Sequence, residues 1–127
     1  MARLVGYAAA LAALVLAPAG QAGQTISKNM VECAALMDVA SLHVSDPARL
    51  AELNRAATVW AMSAAEQAKR EGGLAGDLSL AFTARKSAWL EAGAGFAFSQ
   101  EFRDWASYCR ALAMRYDVDV GLSQPKD

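Results

Sequence analysis

The chain has 127 residues, a length that fits one small domain. Its 12 basic and 13 acidic residues give a net charge of −1 at pH 7. Binding to nucleic acid or to an anionic lipid surface requires a basic face, so neither is expected as a partner. Hydrophobic residues make up 55% of the sequence, and one apolar run near the N-terminus supplies part of that share.

The first 22 residues have the order of a secretory signal peptide. A positive charge at Arg3 precedes an uncharged apolar run that ends at Pro18. The run is shorter than the about 20 residues that a membrane-spanning helix requires. We therefore predict a cleavable signal peptide over residues 1–22, with cleavage after Ala22, or after Ala19 as the alternative. The mature protein is then expected in the periplasm or outside the cell.

Glycine and proline divide the rest of the chain into four segments, each with apolar residues at the three- and four-residue spacing of a helix. The first segment opens at Ser27 and carries Met30, Cys33 and Met37 on one face. This spacing predicts that Cys33 is buried. The second segment begins at Asp46 and Pro47, because aspartate caps helices and proline is tolerated in the first turn.

The second segment ends before Gly72, where glycine is a common helix terminator. The third segment begins near Asp77, and Arg85 interrupts its apolar stripe. The fourth begins at Ser99 and places Cys109 on its apolar face. Both cysteines are therefore expected to point into the protein.

Four amphipathic helices with short connections predict an all-α fold, a small four-helix bundle of up-down-up-down topology. The first and last helices are neighbours in that topology, so we predict a disulfide between Cys33 and Cys109. Export to an oxidising compartment and the even cysteine count support the pairing. We assign residues 23–120 to one helical domain and residues 121–127 to a frayed C-terminal tail.

Residue types that commonly carry catalysis or hold cofactors are sparse in this chain. His43 is the single histidine, and its position at the end of the first helix suits the helix dipole. The alternative is a general base with Asp38 or Asp46 as its partner. The disulfide removes both cysteines as nucleophiles or metal ligands, and methionines at helical spacing are more typical of core than of haem ligands. We predict no catalytic, cofactor-binding or metal-binding residue, and no enzyme activity.

Phe96 and Phe98 lie in the glycine-containing connection before the fourth helix. Connections normally meet water, and exposed apolar side chains mark binding surfaces, so this loop is a candidate partner contact. In the alternative interpretation Phe98 folds back onto Phe102, as apolar residues next to helix starts often do, while Phe96 closes one end of the bundle. The sequence alone leaves both interpretations open.

The biochemical role remains open among three classes of protein. The lack of recognisable catalytic groups favours a module that binds another protein, such as a chaperone, an inhibitor or an immunity protein. The alternative is a carrier of a small apolar ligand or cofactor, with Trp60, Trp89 and Trp105 lining a pocket between helices. The same aromatic residues are more typical of a core. An enzyme is the third class and the least favoured.

Overall fold

The computed structural model describes residues 24–122, which form four α-helices and one short 3₁₀ helix, with no strand among them. The predicted all-α fold is confirmed. The signal peptide predicted over residues 1–22, and residues 123–127 of the predicted tail, lie outside the described residues. The elements in chain order are α1 (Ile26–Ser41), α2 (Pro47–Glu71), α3 (Ala75–Ala92), the 3₁₀ helix (Ala94–Phe98) and α4 (Gln100–Arg115).

Side-chain caps begin α2 and α4 where the sequence predicted them. The carboxylate of Asp46 accepts the backbone N–H three residues further on at 2.9 Å, and Pro47 follows in the first turn of α2. The hydroxyl of Ser99 accepts an equivalent N–H at 3.1 Å at the start of α4. Helix α3 has no such cap and begins at Ala75, two residues before the predicted Asp77.

The cap of helix α1 lies two residues earlier than predicted, because Thr25 caps it in place of Ser27. The Ser27 hydroxyl instead donates to the carboxylate of Glu71 at 2.6 Å. This bond joins the beginning of α1 to the end of α2, so the two helices are antiparallel. Gly72 then ends α2 as predicted, with φ of +75°, a left-handed conformation that glycine adopts without steric cost.

Helix α1 lies at the centre of the bundle, and α2, α3 and α4 all pack against it. Thirteen of its 16 residues are buried, so its whole circumference is covered. The sequence predicted one buried stripe on this helix. The structure also buries Val31, Ala34 and Leu36 on its other sides. Because three helices share α1 as a neighbour, the first and third helices are in contact as well as the first and last.

The predicted disulfide is present between Cys33 of α1 and Cys109 of α4, with a Cα–Cα distance of 5.8 Å. Both cysteines are buried. The bond joins the first helix to the last across 76 residues of sequence, and closing a loop of that length is expected to stabilise the fold by about 4 kcal/mol. A buried disulfide fits an oxidising, extracytoplasmic environment.

Aromatic side chains fill the space between α3, α4 and the 3₁₀ helix. The Trp89 ring stacks on Phe96 with centroids 5.2 Å apart and meets Trp105 edge-on at 5.5 Å. All three are buried, and so is Trp60 of α2 on another side of α1. These residues therefore belong to the core, which was the alternative to a ligand pocket in the sequence analysis.

The segment after α4 runs back along the bundle. Val118, Val120 and Leu122 alternate with exposed residues and pack partly buried against the core. Leu122 belongs to the segment predicted as tail, so ordered packing extends at least to this residue. No helix in the range 24–122 combines the length and apolar character that crossing a membrane requires.

Candidate functional site

The turn between α3 and α4 separates the two phenylalanines that the sequence pointed to. Phe96 is 3% exposed, whereas Phe98 is 84% exposed. Phe102 meets the ring of Phe96 edge-on at 5.6 Å, so Phe96 occupies the place that the alternative interpretation gave to Phe98. Burial leaves Phe96 no face for a partner. Only Phe98 keeps the predicted role of a contact residue.

The backbone beneath Phe98 is held by several hydrogen bonds. The hydroxyl and the N–H of Ser99 both donate to the carbonyl oxygen of Phe96, at 2.6 and 3.0 Å. The guanidinium of Arg103 donates to the carbonyl oxygen of Phe98 at 3.0 Å. Gly93, with φ of +80°, supplies the change of direction after α3. The exposed ring therefore stands on an ordered turn, which reduces the entropy lost when such a ring is bound.

Acidic side chains flank this turn on both sides. Glu91 lies near the end of α3, and Glu101 and Asp104 lie in the first turns of α4, all three exposed. Arg103 is the single basic residue among them. The indole N–H of Trp89 points to the Glu101 carboxylate at 3.5 Å. In sequence, the residues on either side of the turn therefore carry a net negative charge, while the guanidinium of Arg103 contacts the backbone of Phe98.

A second candidate surface is a groove between α1 and α3, with a volume of about 470 Å³. It is open on one side, and its lining is mixed. Five lining side chains are charged or carry an amide, and four are aliphatic and belong to α3. The lining residues are Gln24, Lys28, Glu32, Asp77, Leu80, Ala81, Ala84, Arg85 and Ala88.

A buried carboxylate forms one wall of the groove. Glu32 is 4% exposed, and its Oε1 accepts a hydrogen bond from Nε of Arg85 at 2.8 Å and forms an ion pair with Nη2 of Arg85, also at 2.8 Å. The amide of Gln24 donates to the other carboxylate oxygen at 2.9 Å. The guanidinium lies 5.4 Å from the ring centroid of Trp89 and 5.2 Å from that of Trp105. Buried charges require such compensation, so Arg85 interrupts its apolar stripe because it is the counter-ion of Glu32.

Glu32 is a residue that spacing arguments missed. It lies on the central helix between Met30 and Met37, where it is the only charged residue in an apolar run. That isolation was the available signal, together with the interruption by Arg85 on another helix. Neither signal by itself names the partner, because the pairing depends on how α1 and α3 pack.

Two further polar contacts join α1 to its neighbours. Asn29 donates to the hydroxyl of Tyr108 on α4 at 2.7 Å. Burial raises the pKa of Tyr108, although the hydrogen bond from Asn29 opposes the shift. Desolvation acts to raise the pKa of Glu71 as well, but hydrogen bonds from Ser27 and Gln67 outweigh it and the pKa is lowered. These contacts connect helices, so we assign them to stability.

Both aspartates considered as partners of His43 interact with other groups. His43 is exposed just beyond the end of α1. Asp38 pairs instead with Lys86 of α3 at 2.7 Å, and Asp46 is occupied as the cap of α2. The described part of the chain also contains no group of three or more His, Cys, Asp or Glu side chains arranged to hold a metal ion.

No family model, curated protein or solved structure matches this chain. The evidence for function therefore comes from the chain's own surfaces. Two are distinctive: the turn between α3 and α4 that exposes Phe98, and the groove between α1 and α3.

Proposed function

We propose that this chain is an exported protein-binding module, in the broad class of chaperones, inhibitors and immunity proteins, and that Phe98 is its principal contact with the partner. The carrying observation is that Phe98 is 84% exposed on a turn in which the carbonyl oxygens of Phe96 and Phe98 accept hydrogen bonds from Ser99 and Arg103. Exposed apolar patches mark interaction surfaces, and Phe98 is the one aromatic residue among the large apolar side chains exposed in residues 24–122. Aromatic anchors that enter a partner's pocket often carry much of the binding energy.

The charges around the turn indicate the chemistry of the partner. Glu91, Glu101 and Asp104 are exposed and outnumber Arg103 among the residues on either side of the turn. Complementary charge steers association and suppresses wrong partners. The partner surface that fits is an apolar pocket with a basic rim. An acidic surface or an uncharged apolar surface fits less well.

Export is supported by two independent features. Residues 1–22 have the charge and apolar order of a cleavable signal, and the disulfide between Cys33 and Cys109 is of the kind that persists in oxidising compartments. A partner-binding protein of the periplasm or cell exterior is consistent with both.

The alternative of a carrier for an apolar ligand receives less support. The rings of Phe96, Trp89 and Trp105 contact one another, so they occupy the volume that such a ligand would fill. The groove between α1 and α3 has a charged lining, which disfavours an apolar molecule.

Site-specific photo-cross-linking in the organism that encodes the chain tests the proposal. We replace Phe98 with p-benzoylphenylalanine and, as the matched control, place the same residue at Met114, which is 85% exposed on α4. The expected result is a discrete protein adduct from position 98 that is absent from position 114. No adduct at position 98, or equal adducts at both positions, would contradict the proposed contact.

N-terminal sequencing of the same purified protein tests export. We expect the mature chain to begin at Gly23, or at Gly20 if cleavage follows Ala19. A chain that keeps Met1 or Ala2 would show that the signal is not cleaved, and the exported role would have to be abandoned.

A further inference from the structure

We infer that the groove between α1 and α3 is a second binding site, for a small zwitterion of about dipeptide size with short apolar side chains. The site is separate from the turn at Phe98 and does not depend on that proposed contact. The observation behind it is a pair of opposite charges: Lys28 and Asp77 both line the groove, and neither forms an ion pair within residues 24–122.

The other two charges of the groove neutralise each other. Glu32 and Arg85 form a bidentate contact at 2.8 Å, which leaves one ammonium and one carboxylate facing the groove without a partner. A ligand with one charge of each sign complements both. A purely anionic ligand would face Asp77 unpaired, and a purely cationic one would face Lys28 unpaired.

The direction of the helices sets the spacing between these charges. Helix α1 is antiparallel to α2, and α2 is joined to α3 by a short connection, so α1 and α3 run the same way. Starting from the Glu32–Arg85 contact, Lys28 lies one helical turn back along α1, and Asp77 lies two turns back along α3. Their positions are therefore staggered by about 6 Å along the groove. An extended dipeptide spans about 7 Å, a length of the same order as this axial offset between the two residue positions.

The aliphatic wall limits the size of the ligand's side chains. Ala81, Ala84 and Ala88 line the groove from α3, with Leu80 beside them. Methyl groups leave room along the helix and offer apolar contact without any hydrogen-bonding group. The volume of about 470 Å³ lies in the range of roughly 300–1,000 Å³ that small-molecule sites occupy. A dipeptide of small residues satisfies the charge, length and lining together.

A ligand titration followed by NMR of the ¹⁵N-labelled mature protein tests the site. The probes are Ala-Ala with both termini free, N-acetyl-Ala-Ala without the ammonium, and Ala-Ala-amide without the carboxylate. We expect Ala-Ala to give saturable shifts for amides in residues 24–32 and 77–88, and each blocked form to bind about tenfold more weakly. The absence of saturable shifts up to about 10 mM, or equal binding of all three probes, would overturn the inference.

Two variants assign each end of the ligand. Lys28→Gln should remove the preference for Ala-Ala over its amide, and Asp77→Asn should remove the preference over the N-acetyl form. Lys69→Gln is the matched control, because Lys69 is exposed in the last turn of α2 and does not line the groove. It should leave all three affinities unchanged. If Lys28→Gln keeps the preference for the free carboxylate, or if Lys69→Gln abolishes it, the assignment is wrong.

Discussion

Helices α1 and α3 are both rich in apolar residues, but they occupy different environments. Thirteen of the 16 residues of α1 are buried under the other three helices, and the disulfide joins it to α4. Helix α3 packs on one side only and leaves Leu80, Ala84 and Ala88 exposed to solvent. The groove lies between α3 and the beginning of α1, and the turn at Phe98 follows α3 directly. The comparison indicates that α1 supplies most of the buried core, whereas both proposed contact surfaces include the exposed side of α3 or the turn after it.

The largest loss of stability is expected when the disulfide between α1 and α4 is removed. The double variant Cys33→Ala/Cys109→Ala should lose about 4 kcal/mol of unfolding free energy, since it removes the constraint on a 76-residue loop in the unfolded chain. Denaturant titration measures the loss. Reducing agent should cause a similar fall in the wild type and none in the variant. An unchanged unfolding midpoint in the double variant would show that the disulfide contributes no stability.

A smaller effect is expected where α1 meets α3. Removing one partner of a buried ion pair costs about 3–5 kcal/mol, and the partial exposure of Arg85 reduces the loss expected for Glu32→Gln to about 2 kcal/mol. Asp38→Asn is the matched control, because it removes the half-exposed pair with Lys86 between the same two helices. That control should cost about 0.5 kcal/mol. Equal losses in the two variants would contradict the distinction between a buried and a surface pair.

The smallest effect concerns acid stability where α1 meets α2. The pKa of Glu71 is lowered in the folded state from its ordinary value of 4.5, so the unfolded chain binds its proton first as the pH falls. The stabilisation from Glu71 is therefore complete above pH 4.5 and is lost as the pH drops through the folded pKa. Both Glu71→Gln and Ser27→Ala should make unfolding free energy depend less steeply on pH in this range. A slope unchanged in both variants would rule out this linkage.

Local signals in the sequence predicted much of the fold. Asp46, Pro47, Gly72 and Ser99 mark helix ends through their own side chains or backbone, so α2 and α4 begin or end where expected. The disulfide followed from the positions of the cysteines on apolar faces and from the expected topology. Each helix end is determined by a short stretch of chain, whereas the disulfide also required the expected neighbourhood of the first and last helices.

Other features that depend on packing between helices were not predicted. Periodicity indicated one buried face on α1, whereas three surrounding helices bury Val31, Ala34 and Leu36 as well. The pairing of Glu32 with Arg85, and the groove beside it, exist only because α1 and α3 lie in contact. No count of residues along either helix contains that information.

The turn before α4 was predicted only in part. The glycines in this connection indicated its position, but the geometry of the 3₁₀ helix decides which phenylalanine turns inward. Phe96 and Phe98 are two residues apart, and the sequence offered no basis for separating them. The structure separates them by burial, and that separation underlies the proposed role of Phe98.

The unfolding free energies of Phe96→Ala and Phe98→Ala, measured side by side by denaturant titration, test this separation most directly. The account predicts a loss of about 3 kcal/mol for Phe96→Ala, because it leaves a cavity beside Trp89 and Phe102. It predicts a change within about 0.5 kcal/mol for Phe98→Ala, whose ring lies in solvent. A loss for Phe98→Ala as large as that for Phe96→Ala would mean that the ring of Phe98 supports the fold and is not held free for a partner.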